Sequence, residues 1–223
     1  ENDGSYRMKT MTFKNLGEAN DGFLITARRF LKSDEGQVGD VSYRFKNNHN
    51  KVQVIKYFSR TGTFCLNDMV SFERKHNEAN GEENRDGTDY NCTWNCGVEG
   101  ICYKIEVQVL RERQLRNALA LLFLSQGVPM IFMGDEFGNS QMGNNNPYCQ
   151  DNALTWINWE GITDKHKKFA SYVRRLIKIR KQLKIFDRNK FFTGKKVGKS
   201  GYKDIAWYTP SGKEFETADW HNG

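Results

Sequence analysis

The sequence has no apolar stretch long enough to cross a bilayer. Its longest apolar run, "NALALLFLSQG" at 117–127, falls well short of the about 20 residues a spanning helix needs, so no membrane segment is expected. The opening "ENDGSYRMKTMTFK" is polar and lacks the apolar core of a secretory leader. It does not begin with methionine, which leaves processing or a boundary within a longer chain open. Paired cysteines are also missing. The five, at 65, 92, 96, 102 and 149, are odd in number and do not form the framework of a small secreted domain. Cys92, Cys96 and Cys102 are spaced C-x3-C-x5-C without a second knuckle, and His76 is the only histidine nearby upstream, so zinc is disfavoured. Free, mostly buried thiols in a reducing cytoplasm are the expectation. No glycine-rich phosphate cradle occurs, and neither a metal nor a cofactor is expected.

What is present is a polar globular chain of 223 residues, 38% hydrophobic and 27% charged, with fifteen Phe, nine Tyr and five Trp. These aromatics could fill a core or line a site. The formal charge is +7, and much of it lies in "KHKKFASYVRRLIKIRKQLK", 165–184. A basic nucleic-acid-binding module is one reading of that run. Phe169, Tyr172, Val173, Leu176, Ile177 and Ile179 recur through it at helical spacing, however, and no nucleic-acid reader motif accompanies the charge. The solvated outer face of a packed helix accounts for it better, so nucleic acid is not expected as a partner.

Periodicity predicts loop over 1–20 and a short helix over 23–32. A second short helix or an extended piece follows at 37–46, then a break at 47–50 and a strand at 52–58. Residues 64–73 suggest a helical turn, and 75–100 show neither period. The clearest helix is 104–126, stopped by Gly127. An apolar strand, Val128 to Met133, follows, and 134–152 is an amide-rich loop. A basic helix at 165–184 and hairpin-like β with glycine punctuation over 191–215 complete the order. This β-α-β-α alternation implies parallel strands flanked by helices, with a site at their C-terminal ends. Both unusual loops follow strands, so they should lie side by side there.

Those loops supply carboxylates (Asp135, Glu136, Asp151, Glu78, Asp86, Asp89), amides (Asn77, Asn80, Asn84, Asn144, Asn145, Asn146, Gln150, Asn152) and rings (Trp94, Tyr90, Tyr148). Carboxylates and amides exchange hydrogen bonds with hydroxyl groups, and flat rings stack on the apolar face of a sugar. The mixture suits a neutral polyhydroxylated ligand. Turn capping and backbone satisfaction compete as the role of each asparagine.

Three blocks carry a resemblance: "KHNEANGEENRDGTDYNCTWNCGVEG", "RQLRNALALLFLSQGVPMIFMGDEFG" and "GNNNPYCQDNALTWINWE". They resemble consecutive blocks of the glycogen debranching enzymes of the isoamylase type, in the α-amylase superfamily (glycoside hydrolase family 13). The similarity runs from about residue 52 to the end, with fainter echoes before it. It implies a partial (β/α)8 TIM barrel, roughly strands six to eight with their helices, over residues 1–190. Residues 191–223 would begin a truncated C-terminal β domain. By the resemblance, Val52–Phe58 is strand seven and Val128–Met133 strand eight. The implied activity is hydrolysis of α-1,6 branch linkages in glycogen-like or amylopectin-type α-glucans. The implied substrate-binding residues are Trp94, Asp135, Glu136, Asn145, Tyr148, Asp151 and Asn152.

The chain departs from the family pattern where catalysis is concerned. Retaining glycosidases need a nucleophile and an acid/base carboxyl group. No segment matches the family's strand-four nucleophile motif. Glu1 is the one position that corresponds to the acid/base. "TGTFCL" puts Thr61 and Gly62 where the family's His-Asp pair stands, and neither can grip a sugar through a carboxylate. The expectation is therefore a catalytically incomplete member. It could act with a complementary N-terminal half, as a homo-oligomer, or as a non-catalytic glucan-binding or partner subunit.

Overall fold

The computed structural model describes residues 17–46, 53–187 and 191–220. Glu1 and the break at 47–50 lie outside them. Three short strands, β1 (Gly17–Ala19), β2 (Gln53–Lys56) and β3 (Val128–Pro129), form one sheet in the order β1-β2-β3. All pair parallel, with Gly17 opposite Gln53 and Ile55 opposite Val128. Helices α1 (Asp21–Leu31) and α2 (Gln37–Lys46) connect the first two strands. The one-turn helix α3 (Leu66–Met69), a long loop and α4 (Ile105–Leu124) connect the second and third, and α5 (Asp164–Gln182) follows. The chain is thus α/β with a parallel sheet, as the alternation implied.

Local chemistry explains the helices. Asn20 caps α1, its Oδ1 accepting from the Phe23 N–H at 2.8 Å. Thr163 and His166 close a capping box at the start of α5. At the other end of α4, Arg180 of α5 donates to the carbonyls of Phe123 and Ser125, each at 2.7 Å, satisfying the exposed end of the helix. Gly127 has φ +93°, and a Cβ there would sit 2.6 Å from the Val54 carbonyl oxygen, so only glycine passes so close to β2. One core joins Phe23 and Ala27 of α1, Leu66 and Met69 of α3, Leu119 and Leu122 of α4, and Phe169 and Val173 of α5. The apolar stripe of the basic run therefore faces the core, and its charges cover the outside.

Four expectations need correction. Residues 17–19 form a strand, although the first twenty residues read as loop. Among the described residues, the strand expected at 52–58 is formed over Gln53–Lys56, and Val52 lies outside them. The strand expected at 128–133 pairs over two residues, with one further ladder-like bond from the Met130 N–H to the Lys56 carbonyl at 2.8 Å. Its apolar residues look buried in sequence, yet Val128 is 38% and Met133 64% exposed. The reason is position: among the described residues β3 is an edge strand, with no neighbour to cover its far side. Over 191–215 the expected hairpin-like β reduces, among the described residues, to two antiparallel bridges, Lys196 with Lys203 and Tyr208 with Glu214. In this region Trp207, Phe215 and Trp220 form a small aromatic cluster that reaches Phe45 of α2.

Candidate functional site at the strand ends

The two unusual loops do meet beyond the C-terminal ends of the strands, and a buried polar lattice joins them. Asn77, Asn144 and Asn145 are each 0% exposed. Asn77 and Asn145 exchange two hydrogen bonds of 3.0 Å, Asn77 Nδ2 to Asn145 Oδ1 and the Asn145 N–H to Asn77 Oδ1. Asn145 Nδ2 also donates to Asn91 Oδ1 and to the Thr88 carbonyl, each at 2.8 Å. Asn144 Nδ2 reaches Asn80 Oδ1 at 2.9 Å, and Asp86 Oδ2 accepts from both Asn80 (2.7 Å) and Asn146 (3.0 Å). Gly87, at φ +72°, lies so close that a Cβ would fall 2.3 Å from Asn145 Oδ1.

Two buried carboxylates tie the same loops to the sheet end. Asp68 of α3 accepts from the Gln141 N–H (2.9 Å), the Gly143 N–H (3.1 Å) and Ser140 Oγ (2.5 Å). Asp135 accepts from the Leu66 N–H at 2.8 Å, the Phe132 N–H at 3.3 Å and the Ser59 hydroxyl. Burial pushes the Asp135 carboxyl up to about 7, against the pull of Ser59, the two N–H groups and the nearby Arg28. Arg28 is 2% exposed and donates to the carbonyls of Phe58, Phe64 and Asn91, holding the chain after β2 against the first loop.

Several sequence candidates change role in this frame. Asp135 and Asn145 are buried, with their polar atoms hydrogen-bonded within the protein. Trp94 is partly buried and packs against the core. Glu136 turns back on its own loop, accepting from the Gly134 N–H at 3.0 Å. Asn152 shapes a turn, donating to Gln150 Oε1 and accepting from the Leu154 N–H. Asp151 and Tyr148 remain at the surface, Tyr148 at 67% exposure. The thiols are free, but only Cys65 and Cys96 are buried.

The structure adds two features that the sequence reading missed. Trp156 is 59% exposed, and its indole N–H donates to Asp151 Oδ1 at 2.9 Å. Gln150 anchors this turn by donating to the Ala79 carbonyl and to Asn80 Oδ1. A "QDNALTW" stretch with one tryptophan was visible, but nothing in its spacing showed the ring facing outward. Second, at the ends of β1 and β2, Asp21 accepts from Tyr57 Oη at 2.5 Å and from Arg60 Nε and Nη2, each at 3.1 Å. The Arg60 guanidinium holds the Asp21 carboxyl below the usual carboxylate range. This ion pair adjoins Thr61 and Gly62 in the chain, and a carboxylate so paired is poorly suited to hold a proton. Among the described residues no helix is long and apolar enough to cross a membrane, and no group of three or more His, Cys, Asp or Glu could hold a metal ion.

No family model matches the chain. The "glycogen operon protein GlgX homolog" of Mycobacterium tuberculosis is 41% identical over 216 residues, covering 92% of this chain and 30% of that protein. A "glycogen debranching enzyme" of Erwinia tasmaniensis is 37% identical over 93% of this chain and 32% of its own length. "Isoamylase 1, chloroplastic" of Arabidopsis thaliana is 39% identical over 81% and 24% respectively. Among solved structures, a pullulanase from Bacillus acidopullulyticus overlays with a TM-score of 0.48 at 19% identity, covering 76% of this chain and 19% of that one. The chain is a homologue of the glycogen debranching enzymes and isoamylases over nearly all of its residues, and it spans about 30% of the length of the curated relatives it matches.

Proposed function

We propose that the chain is a barrel segment of an isoamylase-type glycoside hydrolase, comprising about three strands with their helices, that contributes glucan recognition at α-1,6 branch points. The observation that carries this reading is the identity of 36–37% to proteins named glycogen debranching enzyme, and of 41% to one named glycogen operon protein GlgX homolog, over more than nine-tenths of the chain. Parallel β-α-β units with their long loops gathered at the C-terminal strand ends support a partial barrel. The ligand-facing groups would be Tyr148, Asp151 and Trp156, held by the asparagine lattice beneath. Five free cysteines fit a reducing compartment such as the cytoplasm.

Hydrolysis by the chain alone is not part of the proposal. Thr61 and Gly62 offer no carboxylate, Asp21 is locked to Arg60, and Asp135 is buried and saturated. Catalytic groups act as a unit, so repairing one member of an incomplete set restores little. Release of reducing ends from glycogen is therefore expected to be absent for the chain and for its Thr61→His, Gly62→Asp variant. It should appear only when a polypeptide supplying the missing carboxyl groups is added. Turnover by the unmodified chain would mean that the catalytic carboxylates have been misplaced, with Asp21, Glu136 and Asp151 the first to test.

A further inference from the structure

The charge of this chain is segregated. Residues 164–203 carry fifteen of its 34 Lys and Arg and two acidic residues, a net +13 against +7 for the whole chain, so the remainder is net acidic. Much of this charge lies on one line. Lys167, Lys168, Arg174, Arg175, Lys178 and Lys181 are all exposed and recur at helical spacing on the outward face of α5, opposite the buried Phe169, Val173 and Leu176. From Lys167 to Lys181 the stripe runs about 21 Å, at 1.5 Å per residue. Lys167 meets Asp164 at 3.4 Å, and Arg174 donates to Ser171 Oγ at 2.7 Å. The other four make no ion pair among the described residues. Like charges three and four apart on a helix repel one another, and an anionic ligand relieves that repulsion.

The stripe begins where an aromatic surface ends. Trp156 and Trp159, 59% and 68% exposed, stand on the turn before α5. The Trp159 ring packs on Phe137 with 5.7 Å between centroids, and Phe137 borders the same cleft as Lys165 and His166 in the first turn of α5. Charge changes sign across this junction. Asp151, Glu160 and Asp164 are exposed around the rings and the helix start, with Asp151 bonded to the Trp156 indole, whereas the outward face beyond them is cationic. A ligand crossing both must be uncharged where it meets the rings and anionic where it meets the helix. A single-stranded nucleic acid also stacks on rings and follows basic surfaces, but its phosphate on every unit is repelled by the carboxylates at the junction. A sugar polymer with scattered phosphates fits both halves. A stripe, unlike a pocket, suits a group that falls at irregular intervals along a polymer.

We infer that the outward face of α5 extends the glucan surface and selects α-glucan carrying phosphate monoesters. Sugar rings lie on Tyr148 and Trp156, and the stripe of lysines and arginines catches the phosphates. The inference rests on the glucan reading above and adds a substrate class to it.

Biolayer interferometry of the immobilised chain tests it, with three analytes: amylopectin bearing phosphate monoesters, the same polymer after phosphatase treatment, and poly(U) RNA. The phosphate-bearing polymer should bind about fivefold more tightly than the treated one, the weight of one exposed ion pair. The difference should vanish between about 50 and 500 mM salt as screening sets in. The Lys168→Glu, Arg175→Glu, Lys178→Glu variant should lose the preference and bind the treated polymer as before, which also shows that its fold is kept. An equal change of charge away from α5, Arg74→Glu, Lys104→Glu, Arg113→Glu, at three exposed positions, should retain the preference. If the α5 variant does not fold, the salt dependence of the native chain decides. Equal binding of the two polymers at low salt would overturn the inference and leave the glucan reading standing, whereas binding of neither would overturn both. A preference that survives high salt or the α5 variant, or poly(U) bound more tightly than the phosphate-bearing polymer, would also overturn it.

Discussion

Two buried ionisable groups set the chemistry at the scale of single residues, and each makes a claim about pH. Lys56 is 2% exposed, and its ammonium donates only to the carbonyls of Arg44 and Phe45 at the end of α2. Burial, with Arg180 and Arg44 nearby, lowers it from 10.5 to about 7. The unfolded chain therefore keeps a proton that the folded chain has released, so this group makes stability rise with pH from about 7 to about 10.5. Asp135 behaves in the opposite sense. Its folded form holds a proton between 3.8 and about 7 that the unfolded chain has lost, so its contribution falls as pH rises through that window. Urea unfolding across pH should show Lys56→Met without the rise above neutrality and Asp135→Asn without the fall below it. An unchanged profile in Lys56→Met would show that the lysine is solvated. Sequence gave no sign of either burial. Lys56 closes a strand that alternates well, and Asp135 follows a glycine where a surface turn is the ordinary expectation.

Elements were legible where a period ran long enough. Helices α4 and α5 bury stripes such as Leu115, Leu119 and Leu122 or Phe169, Val173 and Leu176, and that spacing is visible without a structure. Strand β1 was not legible, because "GEA" is three residues long and carries no β-branched or aromatic side chain. Strand β3 was overextended because apolarity does not reveal whether a neighbouring strand exists. The parallel pairing of β2 and β3 and the meeting of the loops followed from topology alone. What topology did not show is that the asparagines bond to one another: an amide's partner depends on long-range contact, not on local spacing. The lattice makes a direct prediction. Asn145→Ala removes the donor to Asn91 Oδ1 and to the Thr88 carbonyl and one of the two acceptors of Asn77 Nδ2, and leaving buried polar groups unpaired should cost about 2–4 kcal/mol. Amide exchange should then accelerate in 75–91 and 139–146 together. Faster exchange in one loop only would mean that the two are held separately. Gly87→Ala should act similarly, since both its positive φ and the nearby Asn145 oppose a side chain.

At the scale of the whole molecule, the sheet presents unpaired edges at β1 and β3 among the described residues, and the chain spans about 30% of its curated relatives. An open parallel sheet is a template for further strands. The candidate site was partly legible at this scale. The meeting of the loops at the strand ends was legible in sequence, as was the surface placement of Tyr148 and Asp151 as candidates, while the exposed Trp156 came from the structure and Trp94 is partly buried against the core. The central claim is that this surface, fixed by the asparagine lattice, recognises branched glucan. Affinity electrophoresis through gels cast with and without glycogen measures this most directly. The account predicts that glycogen retards the chain. It also predicts that a Tyr148→Ala, Trp156→Ala variant, folded by circular dichroism, loses most of that retardation, since each ring stacked on a sugar should contribute on the order of 1 kcal/mol. Mobility of the native chain unchanged by glycogen, or retardation that survives removal of both rings, would contradict it.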